Sequence, residues 1–149
     1  MSLQITYGVS TWLWTSPFTT RSIEELFPKV SDMGFDVIEI ALEDPSLVDC
    51  KILKTALADY NLKVVICGAF GPTRDLTHDD PLVHEACFSY IDQCLDYCAE
   101  LETGFFAGPM YSAVGKARMV SPDQRNKEWC LAVKNLHKVC EMAAFRGIK

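Results

Sequence analysis

Four times in succession this sequence sets out a short apolar run, a loop, and then an amphipathic helix. That order limits the choice of fold sharply. Strands separated by helices pair in parallel through right-handed crossovers, so the pattern specifies an α/β fold around a parallel sheet. The strands are expected near residues 4–9, 37–42, 63–68 and 104–107. Ile5, Tyr7 and Val9 alternate in the first. The second and third, Val37-Ile38-Glu39-Ile40-Ala41-Leu42 and Lys63-Val64-Val65-Ile66-Cys67-Gly68, are nearly continuous apolar runs, as suits strands covered on both faces. Between them the helix signals are local. Ser22 with Glu25 three residues on forms a capping box, and Pro28 threatens a kink inside that first helix. Asp49 is placed to open the second helix, Asp80-Pro81 the third and Ser121-Pro122 the fourth. The chain ends in Arg146-Gly147-Ile148-Lys149, where a further strand is expected to open.

Two layouts share this alternation: an arc of a closed barrel and a doubly wound open sheet. The first strand-to-helix loop decides between them. A dinucleotide-binding sheet places G-x-G-x-x-G there, whereas this chain has Gly8-Val9-Ser10-Thr11-Trp12-Leu13-Trp14. The expected fold is therefore of the (β/α) TIM-barrel type, residues 1–149 forming the first four βα units, a half-barrel of an eight-unit ring. A closed ring of that kind needs about 250 residues, and this chain has 149. Part of any active site is expected to lie beyond Lys149.

Composition narrows the partners. A net charge of −6 argues against a nucleic-acid backbone, no apolar run is long enough to span a membrane, and the N-terminus lacks the features of a signal peptide. The cysteine count is seven, an odd number, and C-x-x-C spacing is absent. Cys87, Cys94 and Cys98 share one helix face, so the expectation is small reduced core residues in a cytoplasmic protein.

The loops that follow strands 1, 3 and 4 are rich in aromatic, glycine and small residues: Trp12 and Trp14; Cys67, Gly68 and Phe70; Gly108, Met110 and Tyr111. Such walls suit a small ligand with apolar C–H faces, such as a sugar; they equally suit a capped barrel mouth or a subunit contact. Glu39 lies inside an apolar strand and needs a partner, whether a ligand, a salt link inside the barrel or a catalytic role. Glu43 and Asp44 follow at the end of that strand, where such a role and that of solvated loop charges fit equally. None of His78, His84 and His137 falls at a strand end, so no self-contained metal site is expected. Ser10 and Ser112 lack a nucleophile-elbow motif, and Cys67 has no base beside it.

An ordered set of segments then resembles the N-terminal half of the ketose 3-epimerases, the D-tagatose/D-psicose 3-epimerase-like branch of the xylose-isomerase-like barrels. They are residues 7–14, Gly34-Phe35-Asp36-Val37-Ile38-Glu39-Ile40, Gly71-Pro72 with Asp75-Leu76-Thr77 and Asp79-Asp80, and Phe106-Ala107-Gly108. The resemblance implies a metal-dependent sugar isomerase or epimerase that moves a proton beside the carbonyl of a ketose. It implies a divalent ion (Mn, Co or Mg) held by the full-length parent and not by this segment, with the catalytic glutamates also beyond Lys149. What it transfers to this chain is a substrate wall of Tyr7, Trp14, Cys67, Gly68, Ala107 and Gly108, with Glu39 in support. By that resemblance the chain alone is expected to be inactive. Its partners would be a small-molecule sugar and either a second copy, as a homo-oligomer, or the C-terminal half of the barrel. Family members tend to carry a bulky aromatic after the fourth strand, where this chain has Ser112-Ala113-Val114-Gly115, so the particular sugar stays unassigned. Other readings of the same scaffold are an inositol or hydroxy-aldehyde isomerase and a non-catalytic half-barrel that pairs with itself. A DNA-repair endonuclease branch is disfavoured, because it takes histidine ligands from strands 3 and 4.

Overall fold

The computed structural model describes residues 5–149. Four parallel strands, β1 (Gly8–Ser10), β2 (Val37–Leu42), β3 (Lys63–Gly68) and β4 (Phe106–Ala107), lie in the order β1-β2-β3-β4. Helices α1 (Ser22–Asp32), α2 (Cys50–Asp59), α3 (Pro81–Glu100) and α4 (Pro122–Phe145) follow them in turn. Spatial order equals chain order, with no switch point of the kind that divides a doubly wound sheet. This is the arc of a TIM barrel: four of its eight strand-helix units, a half-barrel.

Pairing register assigns the two faces. Val37, Glu39 and Ala41 stand level with Lys63, Val65 and Cys67, and Ser10 with Glu39. The alternate residues, Ile38, Ile40, Leu42, Val64 and Ile66, are buried and form the core with Phe27, Val30, Leu53, Ile91 and Leu95 of the helices. The helices thus cover one face of the sheet. Its other face carries half-buried Val37, Glu39 and Val65 and exposed Lys63.

Two strands differ from the sequence pattern. The first was expected over residues 4–9 and runs from Gly8 to Ser10; Gln4 falls outside the described residues. Before Gly8 the backbone serves a turn instead. The Tyr7 amide donates to Asp36 Oδ2 at 2.9 Å, and the Tyr7 carbonyl accepts from the Asp36 and Val37 amides. The fourth was expected from Gly104 and begins at Phe106. Gly104 and Phe106 bond on the opposite side, to the last residue: the Lys149 amide donates to the Gly104 carbonyl at 2.9 Å, and the Phe106 amide donates to the Lys149 carbonyl at 3.0 Å. That alternation is one parallel rung.

The caps of α2, α3 and α4 are side chains of Asp49, Asp80 and Ser121, each accepting first-turn amides. The first helix behaves differently. Its capping box does not form, because Arg21 before it is already helical and the preceding turn closes through Ser22 N–H to the Thr19 carbonyl. Ser22 Oγ therefore accepts from the Thr19 amide. The helix continues through Pro28 to Asp32.

Candidate functional site

Barrels of this type place chemistry at the C-terminal ends of the strands, and there this sheet narrows to small residues. Ala41, Cys67 and Ala107 stand in one row across β2, β3 and β4. Gly68 and Gly108 follow. A Cβ on Gly108 would stand 2.7 Å from the Gly68 carbonyl oxygen and 3.1 Å from the Phe70 ring. One on Gly68 would meet the same ring at 2.8 Å. Gly68 needs glycine because Phe70, itself buried, fills the fork between the two strand ends, and Gly108 because the Gly68 carbonyl lies against it and its φ is positive.

Of the residues proposed for a substrate wall, the structure therefore brings Cys67, Gly68, Ala107 and Gly108 together. Trp14 follows β1 at this end of the sheet but is not part of that row, and Tyr7 stands at the other end. The Trp14 ring packs against the core, and Lys29 Nζ of α1 lies 5.0 Å from its centre. Tyr7 is exposed and precedes β1, beside Asp36 at the opposite end of the sheet. Five residues of strand separate Asp36 from Ala41, roughly 16 Å at 3.3 Å each.

Glu39 lies on the open face, level with Ser10 and Val65, and the three line a cavity of about 220 Å³. Ser10 Oγ is buried there without a hydrogen-bond partner among the described residues. Burial, and then the Glu39 carboxylate, push the Cys67 thiol up to about 11. At neutral pH it is a protonated thiol and no nucleophile.

The flanking loops are tied down by a side-chain ion pair and by hydrogen bonds to the backbone. Lys116 Nζ, from the loop after β4, reaches Asp75 Oδ2 at 2.8 Å and Thr77 Oγ1 at 2.7 Å in the loop after β3. Thr77 N–H and its hydroxyl both donate to Asp75 Oδ1. Burial pushes the Asp75 carboxyl up, but Lys116 and the Thr77 donors outweigh it and hold the group below the usual carboxylate range. Asn135 of α4 donates to the Leu76 carbonyl at 2.7 Å, fixing the same loop from outside.

Two residues at this end, Arg74 and Tyr90, escaped the sequence pattern, and a third, Glu43, was left open by it. Glu43 is half-buried and accepts from Ser16 Oγ at 2.6 Å, so it is no free loop charge. Arg74 Nη1 donates to the Glu43 and Ala69 carbonyls at 2.8 and 3.1 Å. Tyr90 joins the Leu42 carbonyl to the Ala69 amide through its hydroxyl. One signal for Tyr90 was available: it stands three residues after Cys87 and four before Cys94 on the apolar face of α3, and a buried tyrosine hydroxyl requires a partner.

The resemblance places the divalent ion in the full-length parent, and the described residues of this segment offer it no site. Among the described residues no group of three or more His, Cys, Asp or Glu side chains is placed to hold an ion.

An alternating parallel arc with its small residues gathered at the strand ends describes one class of protein, the (β/α) barrels. Residues 27–149 match the family described as Xylose isomerase-like TIM barrel, and the chain belongs to that family. It is 32% identical over 104 residues to a ketose 3-epimerase of Arthrobacter globiformis, covering 70% of this chain and 36% of that protein. To an L-ribulose 3-epimerase of Methylomonas sp. (strain DH-1) it is 25% identical over 145 residues, 97% of this chain and 50% of the relative. The crystal structure of a Methylomonas sp. D-allulose 3-epimerase in complex with D-allulose superposes with a TM-score of 0.85 at 25% identity, over 97% of this chain and 49% of that one. The chain spans about a third to a half of the length of these relatives.

Proposed function

We propose that this chain forms part of the sugar-facing wall of an enzyme that moves a proton at the carbon beside a ketose carbonyl, a 3-epimerisation. The row of Ala41, Cys67 and Ala107, closed above by Gly68 and Gly108, supports the reading most directly. In this reading a flat polyol lies against that row, whose low polarity suits its C–H faces. Membership of the barrel family and the ketose and L-ribulose 3-epimerase relatives support the same chemistry. In this reading Glu39 supports the wall from below, and the groups that take and return the proton lie outside this chain. No step of the reading runs through a metal held by these residues.

Calorimetric titration of the full-length protein with a ketohexose tests it. Binding is expected, and Ala107→Phe, which fills the row, is expected to weaken it about tenfold or more. A protein that binds no ketose, and yields no epimer by chromatography when supplied with Mn²⁺, sinks the reading.

A second reading has its own observation. Among the described residues the face of the sheet opposite the helices carries no helix, leaving Val37, Glu39 and Val65 half-buried and Lys63 exposed, and Phe105 is 58% exposed at its edge. In this reading a further half-barrel, a second copy of the chain, covers that face. Sedimentation distinguishes it: a species of two chains that persists on dilution supports pairing, and a monomer with cooperative unfolding sinks it.

A further inference from the structure

We propose that Tyr90 and Arg74 are positioning residues that set the gap between the ends of β2 and β3, and through it the fit of the sugar wall. Leu42 and Gly68 are the last paired residues of those strands. One step on, a parallel ladder would join the Ala69 amide to the Leu42 carbonyl directly. Here the Tyr90 hydroxyl stands between them: the Ala69 amide donates to Tyr90 Oη at 2.7 Å, and Tyr90 Oη donates to the Leu42 carbonyl at 2.6 Å. The strand ends are held one hydroxyl apart.

Arg74 closes the same fork from above. Its guanidinium carbon lies 3.7 Å from the centre of the Tyr90 ring, and Nη1 donates to the Glu43 and Ala69 carbonyls, one beyond each strand. Phe70 meets the Tyr90 ring edge-on at 5.7 Å, and it is the Phe70 ring that forbids a side chain at Gly68 and crowds Gly108. Tyr90 is buried with its hydroxyl committed to the backbone on both sides, so it acts on the wall and does not touch a ligand. Cys67 and Gly68 immediately precede the inserted hydroxyl. They are the last residues that the β2–β3 ladder still pairs, and the hydroxyl sets the spacing at which the ladder ends.

The inference rests on the sugar reading, and the test separates the two. Steady-state kinetics with a ketohexose and amide hydrogen exchange would be measured on full-length wild-type, Tyr90→Phe, Arg74→Met and Arg74→Lys proteins. Tyr90→Phe and Arg74→Met are each expected to raise KM about tenfold with kcat within about twofold, and Arg74→Lys to recover part of the loss. Exchange at the Ala69 amide is expected to change in Tyr90→Phe. An unchanged KM in folded Tyr90→Phe, with altered Ala69 exchange, overturns the positioning role and leaves the sugar reading intact. A fall in kcat that tracks the folded fraction, with KM unmoved, marks a purely structural role and also overturns it. Should Tyr90→Phe fail to fold, Arg74→Met, which keeps the hydroxyl in place, decides by the same KM criterion. A wild-type protein that neither binds nor turns over a ketose removes the sugar reading, and the positioning role falls with it.

Discussion

Gly108 has φ +139°, and its neighbours leave no space for a methyl group. Gly108→Ala therefore combines backbone strain with a contact against the Gly68 carbonyl. It is expected to cost about 1–3 kcal/mol, read as a lowered urea midpoint at an unchanged slope. Lys116 offers a second residue-scale test. Its partner Asp75 is 2% exposed, so Lys116→Met leaves a buried carboxylate short of its cation, at a cost of about 3–5 kcal/mol near neutral pH. Because the folded Asp75 carboxyl lies below its ordinary value of 3.8, the unfolded chain binds more protons in that window. The stabilisation is full above that value and is lost as pH falls through the folded one. Urea midpoints between pH 5 and pH 2 should trace this loss in the wild type and a flatter acid limb in Lys116→Met.

At the scale of elements, α3 makes a prediction of opposite sign. Burial raises the thiols of Cys87, Cys94 and Cys98, each to about 12, as it does Cys67 to about 11. An unfolded thiol titrates near 9.0, so above that pH the unfolded chain sheds protons that the folded one keeps. Stability should be flat up to about pH 9 and fall as pH rises towards 12, which urea midpoints at successive alkaline pH values will show. What the sequence made legible differs between elements for physical reasons. Strands β2 and β3 are continuous apolar runs paired along their whole length, and pattern and structure share the bounds 37–42 and 63–68. The short strands β1 and β4 are defined by which neighbour their amides reach, and apolar alternation carries no information about that. The side-chain caps of α2 to α4 could be read because each is local. Helix α1 could not, since the turn before it decides where Ser22 points. The same holds at the candidate site. Cys67, Gly68, Ala107 and Gly108 fall at ends of strands that the pattern locates. Tyr7 was misplaced along with its strand, and Arg74 acts by reaching two backbone carbonyls that no motif marks.

At the scale of the molecule, apolar surface is uneven. On α4, Trp129 is 70% exposed and Val133, one turn on, 41%, while Phe145 at its end is 91% exposed. Trp129 and Val133 lie on one face of the helix. Such a stripe favours association. The protein is expected to self-associate with concentration in sedimentation runs, and Trp129→Glu with Phe145→Asp to reduce that association with little change in the unfolding midpoint. Among the described residues no helix is long and apolar enough to cross a membrane.

The division of β2 and β3 into two sets of side chains has a further consequence. Ile38, Ile40, Leu42, Val64 and Ile66 hold the sheet to its helices, whereas Ala41, Glu39, Val65 and Cys67 face the other way from the same backbone. Under the proposed sugar reading, anchorage and recognition are interleaved at alternate positions. Lineages can diversify what such a scaffold accepts by changing every second residue, while the intervening ones preserve its architecture.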